Sequence, residues 1–207
     1  MYEIRLSQVI ERIAGALTKL DLKTASSLLW PALDQFSDNP ALLFYAGIVL
    51  HHEDRMALSV LAFKRGLEID NNPQLLINLG ATYRRMNNYE EGIKTLAKAL
   101  EIEPNNIDAL VNTGGMYVNE GNPKPGIEYL QKAFDLENAK GVQKSQAMWN
   151  LALLKLENGQ FIEGFELYRS SGHDQRRVRM YATPSDGEPH APEPEVLTAE
   201  IVAKVRK

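Results

Sequence analysis

Three asparagines recur along the chain at nearly regular intervals. Asn112 follows Asn78 after 34 residues, and Asn150 follows after a further 38. A side-chain amide offers donors and an acceptor, so a row of amides can pair with the main chain of an extended peptide whatever its sequence. Each such bond contributes roughly 1 kcal/mol net, and ordering the peptide offsets part of it. The spacing predicts a peptide-binding surface of modest affinity, with helix packing as the alternative role of these asparagines.

Two basic and three aromatic residues are further candidates for this surface. Arg84 and Arg85 carry guanidinium groups, which bind carboxylate or phosphate through paired hydrogen bonds. Adjacent arginines near a helix end are also typical of a solvated face. Phe44 and Trp149 are candidates to anchor an apolar side chain, and Tyr45 lies beside Phe44. Burial of these rings against a neighbouring helix or the C-terminal tail is the alternative.

Other chemistry-bearing patterns do not form sites. His51, His52, Glu53 and Asp54 are consecutive, whereas metal ligands on one helix face need a spacing such as i, i+4. Gly114 and Gly115 lie within a helical pattern rather than between a strand and a helix, so they predict no dinucleotide loop. Phosphate loops, nucleophile elbows and paired catalytic carboxylates are also missing from the sequence. We therefore expect no enzyme activity, no metal and no cofactor.

The elements that position these residues form a repeat. Residues 77–83 align with residues 111–117 at an offset of 34, and the pattern extends in both directions. Towards the N-terminus the spacing between units is one residue shorter. Towards the C-terminus the pattern restarts near residue 145, after an insertion of four residues. We expect a solenoid domain over residues 1–170, with five units near residues 6–39, 40–72, 73–106, 107–144 and 145–170.

Each unit has the pattern of two helices joined by a short turn. Apolar residues recur at helical spacing, for example Leu76, Leu79 and Tyr83 in one helix. Gly80 and Gly92 are small enough to let the two helices of their unit approach closely. One helix pair cannot bury both of its apolar faces, so stacking of units must supply the core. In such stacks the first helices line the concave side, which places the three asparagines in one groove.

These units resemble the tetratricopeptide repeat family. The resemblance covers residues 6–170 and implies an all-α, right-handed superhelical solenoid that binds a partner protein or peptide. Some members of the family, including glycosyltransferases, use an asparagine ladder for this purpose. The first unit departs from the pattern because Pro31 lies in its second helix. Units three and four carry most of the resemblance, through Asn78, Leu79, Gly80, Tyr83, Tyr89, Ala99, Pro104, Asn112, Gly114, Tyr117, Gly121, Ala133 and Asn138.

A second resemblance lies at the end of the repeats. Residues 150–169 are similar to the final repeat of bacterial and phage proteins in which such repeats precede a glycosyltransferase domain. Residues 176–187 are similar to the junction in those proteins. The chain continues for only 20 residues beyond this junction, so no transferase activity is carried over.

Composition narrows the class of partner. The chain has 23 basic and 27 acidic residues and a net charge of −4, which does not favour nucleic-acid binding. It contains no cysteine, which excludes disulfides and thiolate sites. No apolar run predicts a membrane span, and the N-terminus has an amphipathic helix pattern rather than that of a signal peptide. We expect a cytoplasmic protein, with a virion as the alternative location.

The sequence changes character after residue 170. Residues 171–207 contain four prolines among interleaved charges, which predicts an extended tail, and residues 196–207 have the pattern of a short amphipathic helix. This tail is a candidate for self-association.

Three functions fit these features. The first is a non-catalytic interaction or scaffold module that binds a peptide or domain in the groove. The second is a detached substrate-recognition module that works with a protein glycosyltransferase. The third is a structural subunit of a larger assembly, for example in a phage.

Overall fold

The computed structural model describes residues 2–136, 141–157 and 159–171 of the 207-residue chain. Within these residues the chain forms ten α-helices and no strand, so the expected all-α class is confirmed. The expected tail beyond residue 171 and its short helix lie outside the described residues. The helices are α1 (Tyr2–Thr18), α2 (Leu22–Gln35), α3 (Pro40–His52), α4 (Met56–Ile69), α5 (Pro73–Arg85), α6 (Tyr89–Ile102), α7 (Ile107–Glu120), α8 (Pro123–Asp135), α9 (Gly141–Glu157) and α10 (Phe161–Ser170).

Each odd-numbered helix is followed by a turn of one kind. A backbone N–H beyond the helix end donates to the carbonyl five residues earlier, and the residue before this donor has positive φ, as in a Schellman motif. These N–H to O distances are between 2.8 and 3.0 Å. Only glycine adopts positive φ without steric strain, yet three of the five positions are not glycine. The positive-φ residues are Leu20, Asp54, Asn87, Gly121 and Gly159.

The turns that lead into α3, α5 and α7 are built differently. Asn39, Asn72 and Asn106 cap these helices, because each Oδ1 accepts a hydrogen bond from a backbone N–H in the first turn, at 2.9 to 3.1 Å. Pro40 and Pro73 then occupy the first helical position, where a missing N–H costs nothing. Side-chain chemistry thus marks where each of these units begins.

Glycines allow the close approach of helices. A Cβ at Gly80 would lie 2.6 Å from Leu96 Cγ, in the same helix pair. A Cβ at Gly92 would lie 2.6 Å from Met116 Sδ, so this glycine mainly serves the contact with α7 of the next pair rather than its own pair. Both distances are shorter than real Cβ contacts, so alanine at either position would require a shift of the neighbouring Leu96 or Met116 side chain.

The core is divided into clusters that bridge neighbouring pairs. Leu76 and Leu96 of one pair pack with Ala109 and Met116 of the next, and all four are buried. The helix α2 runs through Pro31, whose ring is exposed. The first pair therefore keeps its second helix, and Ala25 and Leu29 of α2 are buried against α1 and α3.

Candidate functional site

The odd-numbered helices form one continuous surface. Each of α1, α3, α5 and α7 contacts the next odd-numbered helix, in addition to its even-numbered neighbours. The sequence-predicted residues Phe44 and Tyr45 lie on α3, Asn78, Arg84 and Arg85 on α5, Asn112 on α7, and Trp149 and Asn150 on α9. We call the surface that carries Asn78, Asn112 and Asn150 the groove.

The three asparagines differ in how their amides are used. Asn78 Nδ2 donates to Gln74 O at 2.8 Å, one turn earlier in its own helix. Asn112 and Asn150 are half-buried, and their side chains make no hydrogen bond to any residue that the structure describes. Two of the three amides therefore retain their full hydrogen-bonding capacity, and Asn78 retains its oxygen and one N–H.

The two arginines also differ. Arg85 Nη2 pairs with Asp54 Oδ1 at 3.0 Å, and its Nη1 donates to His51 O at 2.9 Å, so this side chain links α5 to the end of α3. Arg84 is half-buried and makes no ion pair or side-chain hydrogen bond within the described ranges. Burial lowers the pKa of the Arg84 guanidinium, although arginine remains protonated at neutral pH.

A buried polar network lies beside these arginines. Thr82 Oγ1 lies 2.9 Å from Asn78 O and 3.0 Å from His51 Nδ1. Ser59 Oγ donates to Gly47 O at 2.8 Å and approaches Thr82 Oγ1 at 3.4 Å. Burial and the nearby charges of Arg85, His52 and Arg84 lower the pKa of His51, against a smaller opposing effect of Asp54. The network couples α3 to α5 beneath the groove.

The three aromatic candidates are partly buried against different cores. The Phe44 ring lies 6.4 Å from that of Phe63, in the cluster shared with α4 and α5. Tyr45 packs instead on the cluster formed by α1, α2, α3 and Ala62 of α4. The Trp149 ring lies 5.0 Å from that of Tyr168 on α10. Each ring therefore has a packing role, and its exposed part remains the candidate anchor.

The described residues offer no cluster of metal ligands. In this part of the chain, no three His, Cys, Asp or Glu side chains are grouped so as to hold a metal ion. The charged residues after His51 make other contacts, since Arg55 pairs with Glu53 at 3.6 Å. No described helix is long and apolar enough to cross a membrane.

Two features escaped sequence reasoning. The first is that Gly115 faces the side chains of Arg84 and Asn150 rather than a packed helix. In the sequence, Gly115 is recognisable only as a second glycine next to Gly114. The other is an open cleft of about 350 Å³ between α2, α3 and α4, lined by residues including Trp30, Leu58 and Leu61. The sequence does contain an indication of this cleft. Leu58 and Leu61 of α4 occupy the positions at which α6 carries the charged residues Glu91 and Lys94.

Comparison with known proteins supports the repeat architecture. Residues 73–106, which form α5 and α6, match the tetratricopeptide repeat family. No curated protein matches the chain. The resemblance of residues 150–169 to glycosyltransferase-linked repeats stays a prediction.

Several solved structures share the fold at low sequence identity. Pseudomonas aeruginosa PilF has a TM-score of 0.72 at 18% identity, over 86% of this chain and 85% of that one. TTC0263, a thermophilic TPR protein of Thermus thermophilus, has a TM-score of 0.69 at 15% identity, over 86% and 97%. MamA from Desulfovibrio magneticus RS-1 has 0.68 at 17%, over 86% and 97%. The chain therefore has the fold of a tetratricopeptide solenoid, as expected.

Proposed function

We propose that the protein is a non-catalytic interaction module that holds an extended segment of a partner protein in the groove. The observation that carries this proposal is the pair of half-buried amides of Asn112 and Asn150, which bond to no described residue. Amides that lose their water when a segment binds must regain a hydrogen-bond partner, because desolvation without one is unfavourable. A peptide main chain supplies alternating donors and acceptors that satisfy both amides.

The expected affinity is moderate. A net gain of about 1 kcal/mol per amide contact is comparable with the free energy needed to order each peptide residue. Selectivity must then come from side chains of the partner. The exposed parts of Phe44, Tyr45 and Trp149 offer apolar contacts at the two ends of the groove, and Arg84 offers a charge between them.

The test is affinity capture from the native host. Wild-type protein is compared with an Asn78→Ala/Asn112→Ala/Asn150→Ala variant, and bound proteins are identified by mass spectrometry. The matched control is Asn71→Ala/Asn105→Ala/Asn122→Ala, which removes three exposed amides outside the groove. Circular dichroism checks that all three proteins keep the same helicity.

The proposal requires that a partner bound by wild-type and control proteins is lost from the groove variant. Equal capture by all three would exclude the groove as the binding surface. The identity of the partner also separates the alternatives. A protein glycosyltransferase would support the substrate-recognition role suggested by residues 150–169, and stable self-association through the tail would support the assembly role.

A further inference from the structure

Two leucines in the cleft between α2, α3 and α4 are not explained by packing within the solenoid. Leu58 and Leu61 of α4 line this cleft with exposed fractions of 42% and 56%. At the position of Leu61, the helices α2, α6 and α8 carry the exposed polar residues Ser27, Lys94 and Glu128. Single exposed leucines are common, whereas a group of them beside an apolar hollow marks an interaction surface.

The floor and the other wall of the cleft are also apolar. The helices α2 and α4 both pack on α3 but make no substantial contact with each other, which leaves a hollow of about 350 Å³ between them. Its floor is formed by Leu43, Ala46 and Leu50 of α3, and its other wall by Trp30 and Leu33 of α2. Because an apolar cavity of about 150 Å³ holds one benzene molecule, this hollow has room for two or three apolar side chains.

Two arginines add positive charge to this apolar surface. Among the residues that line the cleft, Arg55 and Arg65 are the charged ones. Arg55 directly precedes α4 and Arg65 lies ten residues later in it. A step of this length corresponds to about 15 Å along a helix, so the two cations lie near opposite ends of the cleft.

Both guanidinium groups keep hydrogen-bond donors for a ligand. Arg65 uses only Nη2, which donates to Asp38 Oδ1 at 3.0 Å and to Ser37 O at 3.4 Å. Arg55 Nη1 lies 3.6 Å from Glu53 Oε2, and this side chain makes no hydrogen bond within the described part of the chain. Exposed ion pairs of this kind are weak and exchange partners readily. An acidic group of a ligand could therefore bind either arginine without breaking a strong interaction.

The chemistry of the cleft fits a helix better than an extended peptide. An extended peptide would place its backbone N–H and C=O groups against leucines that cannot bond to them, whereas a helix satisfies its backbone internally. The floor residues Leu43, Ala46 and Leu50 follow the spacing i, i+3, i+7 of one helix face. The cleft is open, so it covers one face of a ligand, as a groove for an amphipathic helix does.

We infer that the cleft is a second interaction surface, which binds an amphipathic helix of a partner protein. The apolar face of this helix fills the hollow and covers Leu58 and Leu61, and acidic residues at its two ends pair with Arg55 and Arg65. The lining residues include none of the residues that we assign to the groove, so the inference goes beyond the proposed function and does not depend on it.

The test uses the full-length protein and a synthetic peptide. The probe has about twelve residues, which span about 18 Å as a helix, with leucines on one face and a glutamate at each end of that face. A lactam bridge on the opposite face keeps this short peptide helical. One comparison peptide has glutamines in place of the glutamates, and another has the same leucines spread around the helix.

Trp30 reports binding directly because it lines the cleft. The chain has two tryptophans, so Trp149→Phe leaves Trp30 as the only one. We expect the probe to shift the Trp30 emission to shorter wavelength in a saturable titration, since the ring loses water when the cleft is filled.

Substitutions in the cleft should weaken this binding. Leu58→Glu/Leu61→Lys installs the charged residues that α6 carries at these positions, and it should raise the Kd about tenfold or more. Arg55→Gln/Arg65→Gln should raise the Kd about threefold to tenfold and reduce its dependence on salt, since the lost interactions are exposed and ionic.

Two matched controls should change the Kd less than about twofold. Ile69→Lys places a charge on another exposed apolar residue of α4, outside the cleft. Lys98→Gln removes the cation at the position of α6 that corresponds to Arg65. Circular dichroism should give the same helicity for all variants, so weaker binding cannot be attributed to unfolding.

Several results would overturn the inference. They are the absence of a saturable shift, equal weakening by Ile69→Lys, or equal binding of either comparison peptide. Tighter binding of decanoate than of the probe would instead assign the cleft to a small amphiphile. A dimer in sedimentation analysis that Leu58→Glu/Leu61→Lys dissociates would assign it to a second copy of this chain.

Discussion

Arg84 and Arg85 are adjacent in the chain but have opposite roles in the structure. Helical geometry turns successive side chains about 100° apart, so Arg85 points to the end of α3 and Arg84 points towards α7. Arg85 joins two units through Asp54 and the His51 carbonyl, and Arg84 remains available to a ligand. At the residue scale, Arg85 is therefore a structural cation, and Arg84 beside it is a candidate binding cation.

The stability of the protein should depend on pH through His51. Burial and the nearby Arg85, His52 and Arg84 lower the pKa of His51 from its usual 6.5, so the folded state binds this proton more weakly than the unfolded chain does. The contribution of His51 is constant well above pH 6.5, and stability is lost as the pH falls below 6.5 towards the folded-state pKa. We expect a decrease in Tm from about pH 7.5 to about pH 5.5 that His51→Gln reduces.

The control for this prediction is His52→Gln, because His52 is exposed. It should reduce the pH dependence of Tm less than His51→Gln does, because the charge of His52 is only one of several causes that lower the pKa of His51. Identical pH profiles for His51→Gln and wild-type protein would show that His51 does not cause the effect.

Gly47→Ala should destabilise the protein. The new Cβ would lie 2.4 Å from Phe63 Cε1, and this ring is buried. Overpacking of this kind typically costs about 1–3 kcal/mol. Urea unfolding followed by circular dichroism measures the change in the free energy of unfolding.

Gly15→Ala is the matched substitution without a clash. No heavy atom lies within 4 Å of the added Cβ, and Gly15 is inside α1. Here the free energy of unfolding should rise by about 0.5–1 kcal/mol, because alanine favours the helix. A loss of stability in both variants would mean that the close approach at Gly47 is not what distinguishes them.

At the element scale, two kinds of turn alternate along the chain. A Schellman turn with a positive-φ residue closes each odd-numbered helix, and capping asparagines open α3, α5 and α7. The Schellman turn reverses the chain within a helix pair, and the capped turn leads to the next pair. This alternation repeats the same helix arrangement along the described residues.

Leu20 is the least suitable residue among the five turn positions. It has φ of 57° and its side chain is 69% exposed, so it is strained without a burial gain. The left-handed conformation costs a residue with a Cβ about 1–2 kcal/mol. Leu20→Gly should therefore raise the Tm of the protein in a thermal scan.

The reverse change at an equivalent turn provides the comparison. Gly121 has φ of 77°, and Gly121→Ala should lower the Tm although no atom lies within 4 Å of the added Cβ. If both variants shift the Tm in the same direction, backbone strain does not dominate at these turns.

At the scale of the whole described molecule, stability arises between neighbouring pairs. Clusters such as Leu76, Leu96, Ala109 and Met116 join adjacent pairs, and each described helix makes its main contacts within its own pair or with an adjacent pair. A stack of this kind has stability that is approximately a sum of pair and interface terms. Central pairs have two interfaces and terminal pairs have one.

Amide hydrogen exchange should reflect this arrangement. We expect the slowest exchange in α5, α6 and α7, which have neighbouring pairs on both sides, and faster exchange in α1 and α2. Mass spectrometry of peptic fragments after graded exchange times measures the difference. Uniform protection from α1 to α9 would indicate that these helices open as one cooperative unit instead.

Local patterns in the sequence determined the helix pairs and their stacking. The period of 34 residues, the apolar spacing and the glycines all act within a few residues or between adjacent helices, so they could be recognised without coordinates. They also placed Asn78, Asn112 and Asn150 at one position of the repeat. Their proposed role in binding stays a prediction.

Only the tertiary structure decided which of these polar groups are already used. Asn78 bonds to its own helix and Arg85 bonds to the preceding pair. Arg84 and Asn150, which are 66 residues apart in sequence, both pack over Gly115. Such encounters depend on how three helices stack and on where long side chains end. Packing between units sets those positions, and this packing cannot be inferred from the pattern of residue types within one unit.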